Sequence, residues 1–386
     1  MTRKEFIKLC GLLGLGVPFQ ATSSSLYKPK NPAFSGSVLV IGAGAAGLSA
    51  GHLLNQKGIS YKILEATSGY GGRMKKTDHF ADFPIPLGAE WLTVSTSIFD
   101  KTVNNNSVSV DINTVGYNQN DTYGLWQNNK LLLSDLGDFN YRKFVNSTWF
   151  DFFDKYIFPT VSQNIIYDSV VNAIDYSKNK VIVKTQNETY TADKIIVTIP
   201  LKILQNGRIN FTPLLPKDKL KVINDAVVWD GIKVFLEFSK NFYPAYIDFK
   251  ITPATDGQVS YFDAAFGQHT NKNILGLFAV GAPAKNYTTL YGENLKNYIL
   301  NELDEIFSNQ ASPNYIKHIV QDWSKEPHIE GAYLNDYADW KTPATMFKPV
   351  DNKVYFAGDA YTSGNDWGSV HTAAQAAMET VAKIAN

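Results

Sequence analysis

The sequence contains one cysteine, Cys10, in 386 residues, and that scarcity removes several kinds of chemistry. No intrachain disulfide can form, and Cys10 stands in an N-terminal stretch that reads as removable, so the processed chain would have neither a thiol nucleophile nor a thiolate metal site. An excess of one charge is also lacking: Lys plus Arg and Asp plus Glu number 36 each. No net field then draws the protein to nucleic acid or to an anionic membrane, and a small-molecule partner is expected. The six histidines, at 52, 79, 269, 318, 328 and 371, never fall at a ligand spacing, so no metal site is expected. No apolar run reaches the roughly 20 residues that cross a bilayer. Any redox work falls to a bound organic cofactor.

Aromatic residues, by contrast, are plentiful, with 23 Phe and 21 Tyr, enough for large cores and for flat pocket walls. The N-terminus, MTRKEFIKLCGLLGLGVPFQATSSS, has a basic start, an apolar run and then small polar residues, the order of an export signal. Residues 1–30 are set aside on that ground. Thr2 to Lys8 resembles the twin-arginine type, with Lys4 in place of the second arginine, which implies a bacterial periplasmic destination; without export the protein would be cytoplasmic.

From Val38 to Leu54 the chain reads VLVIGAGAAGLSAGHLL. The opening apolar run suits a parallel strand buried on both faces. Gly42, Gly44 and Gly47 then fit G-x-G-x-x-G, whose missing side chains allow a tight turn, approach of a pyrophosphate and close helix–sheet packing. A helix from Ala45 and Ala46 onward would offer free N–H groups and a positive dipole end to phosphates. A second strand, in SYKILEA, leads to Glu65, 23 positions after Gly42, about where an acid meets ribose hydroxyls and disfavours a 2′-phosphate.

SGYGGRM follows, and Gly71-Gly72-Arg73 at this position resembles the flavin amine oxidase family, which includes monoamine, polyamine and L-amino-acid oxidases. LGAEWL, Leu87 to Leu92, is similar to the family's segment beside the flavin ring. SVVNAIDYSKNKVIVKT resembles its adenine-binding strand, and DKIIVTIPLKILQNGRINFTPLLPKDKLKVI resembles its long strand-to-proline signature. The resemblance runs from about Val38 to the end, thinning between about Thr93 and Gln163 and from Lys240 to Lys317. It implies FAD, bound non-covalently because Ala332 stands where some relatives carry the cysteine joined to it. The cofactor-binding residues it implies are Gly42, Gly44, Ala45, Ala46, Gly47, Glu65, Ala66, Gly72, Arg73, Gly88, Ala89, Glu90, Trp91, Val171, Trp323, Gly358, Asp359, Gly368, Ser369, Val370 and Ala373.

In VVWDGIKVFLEF, Ile232, Val234, Leu236 and Phe238 alternate with Lys233, Phe235 and Glu237. Alternation alone reads Lys233 as a wetted strand lysine. The resemblance reverses that reading and makes it the residue that holds a water against flavin N5. Tyr333 would be one wall of a substrate cage. Ser369 stands where many relatives place a second tyrosine, with Trp367 a substitute wall. Asp359 would accept from a ribityl hydroxyl, and Gly368 to Val370 would direct N–H groups at flavin N1 and O2. His371 reads as a pocket-rim or helix-surface residue.

The expected fold is α/β: a Rossmann-like FAD-binding domain of the glutathione-reductase type with an inserted α+β substrate-binding domain. Residues 36–94, 163–233 and 317–386 would form the first. Residues 95–162, an aromatic-rich helical wall, and 234–316 would form the second. The expected activity is oxidation of an amine C–N bond to an imine, with hydride passing to flavin N5 and O2 giving hydrogen peroxide. Catalytic roles fall to Lys233, Tyr333 and Ser369, and the partners are a small-molecule amine and O2. The rivals are an FAD-dependent desaturase and a flavin-binding protein without oxidase activity. An amino-acid substrate would call for an arginine clamp and a polyamine for acids along a tunnel; Arg142, Arg208, Asp151 and Asp154 are available.

Overall fold

In the computed structural model, residues 34–252, 254–336, 342–364 and 366–386 are described; the export segment expected at 1–30 lies outside them. Strand Ser37–Ile41 lies in a five-stranded parallel sheet. Ser60–Leu64 and then Ile165–Ile166 lie to one side of it, and Lys194–Val197 and then Val354–Phe356 to the other. Its apolar run is explained by double burial. Val38 and Val40 enter one core, which also holds helix Ala45–Gln56 and the C-terminal helix Val370–Ala385. Leu39 and Ile41 enter another, with Ile195 and Phe356.

The larger sheet has seven strands, in the order Tyr315–Asp322, Gly231–Phe238, Asn273–Gly281, Gly257–Asp263, Tyr246–Phe249, Thr122–Gln127 and Lys130–Asp135. The strand bearing Lys233 is second, and every one of its residues is buried. Ile232, Val234, Leu236 and Phe238 pack against helix Gly292–Ile306, while Phe235 faces Phe80, Leu87 and Phe262. The wetted reading of Lys233 is therefore overturned, because the segment Phe80–Leu87, from the nucleotide-binding half, covers that face.

The helical wall expected over 95–162 is also corrected. Only Ser97–Val103 and Trp149–Tyr156 are α-helical there, and strands intervene. Thr122–Gln127 and Lys130–Asp135 form a hairpin turning at Asn128 and Asn129, with φ of 52° and 56°. Two adjacent left-handed residues suit such a two-residue turn, and asparagine tolerates them. A four-stranded sheet of Thr189–Ala192, Val181–Thr185, Val171–Asp175 and Asn210–Thr212 lies beside these, and the smaller pairings include Trp91–Leu92 with Arg142–Phe144 and Val227–Trp229 with Tyr333–Asp336. No helix among the described residues is long and apolar enough to cross a membrane.

Candidate active site

The first glycine turn leads from the strand into helix Ala45–Gln56, with Gly44 as N-cap and no acidic side chain in its first turn. A Cβ on Gly47 would lie 1.9 Å from the Gly42 carbonyl oxygen, so the turn closes only around glycine there. At Gly44 a Cβ would meet nothing within 4 Å, which leaves open space over the N–H groups that begin the helix. That combination fits a pyrophosphate. Glu65 is drawn into the same turn: its Oε2 accepts from Ala43 N at 2.7 Å and its Oε1 from Thr67 N at 3.0 Å. Ala66 lies between Glu65 and Thr67, and Val171 is buried at the start of the adjoining strand Val171–Asp175.

The second glycine loop crosses the first. Gly72, at φ 53°, would carry a Cβ 3.4 Å from Gly44 Cα, and Gly71 N donates to Ala43 O at 2.9 Å. Arg73 reaches far along the chain, donating through Nη1 to Ala332 O at 2.6 Å and through Nη2 to Asp359 Oδ1 at 2.5 Å. It thus ties the loop to the C-terminal segment Gly358–Asp359, and one Asp359 oxygen is engaged by it. Gly88 is forced to be glycine by the Arg73 carbonyl, 1.9 Å from where a Cβ would stand. Ala89 N donates to that carbonyl at 3.0 Å, and Trp323 Nε1 donates to Leu87 O at 3.0 Å.

Lys233 is 3 % exposed and has three acceptors: Pro86 O at 3.0 Å, Gly88 O at 2.9 Å and Glu90 Oε2 at 2.7 Å. An ammonium has three N–H donors, so all of them are committed to protein oxygens, and holding a water requires one to be exchanged. The other oxygen of Glu90, Oε1, pairs with Lys143 at 3.1 Å. Lys143 also donates to Asp263 O at 3.1 Å and Ala264 O at 3.0 Å. Burial opposes ionisation of Glu90, but the two lysine charges outweigh it and hold its carboxyl below the ordinary range. For Lys233 burial dominates and lowers its affinity for the proton; Glu90 resists the change and Lys143 adds to it. The site is a buried lysine–carboxylate–lysine cluster.

Aromatic rings border this cluster. Trp91 sits edge-on to Phe262 at 4.9 Å and to Phe278 at 6.0 Å between centroids. Phe278 is the cross-strand partner of Lys233 and lies parallel to Tyr333, at 6.4 Å and 9°. Trp229 stands against Tyr333 at 6.0 Å and 70°. Gly368 brings the C-terminal motif in: a Cβ there would be 3.3 Å from Tyr333 Cδ2. Ser369 caps the C-terminal helix, whose first residue is Val370 and whose fourth is the buried Ala373. Thr372 Oγ1 accepts from Ser369 N at 3.2 Å and donates to Ser369 O at 2.7 Å.

Two expectations need correction. Trp367 turns its indole N–H to Asn335 O at 3.0 Å and packs on the core that holds Leu334 and Tyr361, while among the described residues Phe278 is a ring that lies parallel to Tyr333. His371 is not on the helix surface: it is 3 % exposed and pairs with Asp366 at 2.9 Å. Sequence reasoning missed Lys143 and Phe278 altogether. Neither stands in a motif, and only the pairings Trp91↔Lys143 and Lys233↔Phe278 make them neighbours of the cluster.

Residues 160–385 match the family described as flavin containing amine oxidoreductase, and residues 40–102 match an NAD(P)-binding Rossmann-like domain. The chain belongs to the flavin-containing amine oxidoreductases. It is an FAD-dependent enzyme of that family with a Rossmann-like nucleotide-binding fold. Polyamine oxidase 2 of Arabidopsis thaliana is 24 % identical over 88 % of this chain and 86 % of its own. Lysine-specific histone demethylase 1B of Mus musculus is 25 % identical over 93 % of this chain. The alignment takes in only 53 % of that protein, so the chain spans about half its length. Among solved structures, cyclohexylamine oxidase from Brevibacterium oxydans IH-35A and putrescine oxidase bound to putrescine each reach a TM-score of 0.74 at 13 % identity. Both alignments cover 91 % of this chain and 99 % of the other.

Within this amine oxidoreductase, the two glycine loops and the start of helix Ala45–Gln56 would hold the FAD pyrophosphate. Glu65 would hold the ribose, and Gly368, Ser369 and Val370 would approach the ring.

Proposed function

We propose that this chain oxidises a primary or secondary amine without a carboxylate group to the imine, and that O2 restores the flavin with release of hydrogen peroxide. The observation that carries the reading is the aromatic cluster of Tyr333, Phe278, Trp91 and Trp229 beside buried Lys233. FAD, when bound, accepts the hydride equivalent from the amine α-carbon. The chain's own rings would exclude water and favour the neutral amine, which has the lone pair that C–H cleavage needs, over the ammonium.

The absence of a carboxylate from the substrate is supported by the arginines. Arg142 donates to Thr114 Oγ1 and Thr114 O, both at 2.8 Å; Arg208 pairs with Glu330 at 3.1 Å; Arg73 is held by Ala332 O and Asp359. The acids considered for a polyamine tunnel are committed as well, Asp151 to Lys76 at 2.7 Å and Asp154 to the Tyr70 hydroxyl. Short mono- and diamines are therefore favoured over amino acids and long polyamines.

Peroxide release in air over a panel of benzylamine, cyclohexylamine, putrescine, spermidine and L-leucine tests the reading. Turnover of the first three, with loss in Lys233→Met, is expected. With either rival, a desaturase or a flavin-retaining protein without activity, the flavin would stay yellow with every one of them. Residues 36–94, 163–233 and 317–386 are proposed as one FAD-binding domain, supported by a parallel sheet that draws strands from all three stretches. Export through residues 1–30 is likewise proposed, on their basic-then-apolar order, and recovery of the full chain only in a cytoplasmic fraction would refute it.

A further inference from the structure

Lys143 belongs to none of the sequence motifs, yet it is 2 % exposed and shares one carboxylate with Lys233. It comes from strand Arg142–Phe144, where register places it opposite Trp91, next to Glu90. Two ammonium groups and one carboxylate are thus buried together. Both ammoniums also lie over the Phe262 ring, at 5.0 Å for Lys143 and 5.5 Å for Lys233. A buried ion pair that loses one member leaves a stranded charge, at a cost of several kcal/mol. A second lysine changes that cost, since Glu90 keeps a partner whichever lysine moves.

We propose that Lys143 is a positioning residue of the reaction centre: by sharing Glu90 it balances the carboxylate, so that Lys233 can release it toward the cleft without leaving a buried anion unpaired. The inference rests on the amine-oxidase reading, in which Lys233 serves the flavin. Its geometric basis is that all three Lys233 donors are taken in the resting arrangement. Glu90 is the acceptor whose release a second cation can compensate; Pro86 O and Gly88 O have no such substitute.

Other charged groups face the cluster. Asp263 is close enough to Lys143 for their charges to interact, and its carboxyl is raised by burial. The Tyr117 hydroxyl senses Glu90 and is also raised, chiefly by burial. Across strand Tyr315–Asp322 the neighbour of Lys233 is neutral Gln321, which donates to Glu326, itself paired with Lys75. Among the described residues, Glu90 is the charged group that pairs with both Lys143 and Lys233.

The arrangement makes opposite predictions for its two supports. Without Lys143, Glu90 answers to Lys233 alone and holds its ammonium form more tightly. Without the Glu90 charge, Lys233 faces a second cation unshielded and loses its proton more easily.

The experiment is the midpoint potential of the bound flavin from pH 6 to 10, measured with reference dyes in the FAD-loaded protein without any amine. A titrating neighbour of the ring appears as a break in potential against pH, and Lys233→Met identifies it by abolishing the break. Lys143→Met is expected to move the break up by about one pH unit, Glu90→Gln to move it down by at least as much, and Lys143→Arg to leave it in place. Movement of both in the same direction, no movement in either, no break in the wild type, or a break that survives Lys233→Met overturns the inference. Should Lys143→Met fail to fold with flavin, the neutral but polar Lys143→Gln takes its place, with the same upward movement expected and an unmoved break equally fatal. Because no amine is used, failure here leaves the amine panel to judge the proposed function separately.

Discussion

Phe278 and Tyr333 face each other with ring planes 9° apart and centroids 6.4 Å apart, and Phe278 is directly across the sheet from Lys233. The ring proposed as a substrate wall is thus set by the same strand pairing that sets the lysine. Phe278→Ala should lower kcat/KM for benzylamine roughly tenfold, the scale of one lost aromatic contact, with Phe278→Tyr near wild type. Steady-state peroxide assays on the three proteins check this, and an unchanged Phe278→Ala would remove the ring from the substrate wall.

The first glycine turn separates folding from cofactor binding. Gly47→Ala forces a Cβ against the Gly42 carbonyl, whereas Gly44→Ala meets open space. Gly47→Ala should lower thermal stability even in protein stripped of FAD. Gly44→Ala should leave the stripped protein as stable as wild type and weaken FAD binding at least about tenfold, since the added methyl occupies the pyrophosphate's approach. Melting curves and flavin titration, run on both variants, distinguish the two effects.

Among the described residues, Glu90 is the group ion-paired with both buried lysines, and both its carboxylate oxygens are used. Glu90→Ala should cost about 3–5 kcal/mol near neutral pH, the usual penalty for stranding a buried charge. Its deficit should shrink as pH rises, because the unfolded chain keeps the lysine protons that the folded variant sheds more readily. Urea unfolding at several pH values gives the comparison; a deficit that is flat or grows with pH would contradict it.

Lys219 offers a second pH test, away from the site. It is 2 % exposed, donates to Thr345 O at 2.9 Å and Met346 O at 2.7 Å, and lies 4.0 Å from the Phe356 ring centre. Burial brings its pKa down from 10.5 to about 7. Between those values the unfolded chain is protonated and the folded one is not, so Lys219 makes stability rise with pH across that window; its penalty is complete below about pH 7. In Lys219→Met this rise should disappear, and unfolding midpoints from pH 6.5 to 10 measure it.

Much of the nucleotide-binding half was legible because its chemistry is contiguous. Gly42, Gly44, Gly47 and the helix after them are neighbours in sequence as in space. The hairpin at Asn128 and Asn129 was legible in principle, since two asparagines between apolar runs mark such a turn, but the surrounding aromatics pointed to helix. Lys143, Phe278 and the partners of Glu90 were not legible, because strand register and the covering segment Phe80–Trp91 place them, and neither leaves a local pattern.

The sequence alone determined where backbone must come close to backbone or phosphate, since a missing side chain is a local property that no distant contact alters. It also pointed redox work toward a bound cofactor, since the chain holds a single cysteine, Cys10. Tertiary structure alone decided that Lys233 is dry, that one carboxylate serves two lysines, and which ring opposes Tyr333. Burial, charge pairing and ring stacking depend on what arrives from elsewhere in the chain, and alternation along one strand carries no record of what will cover it.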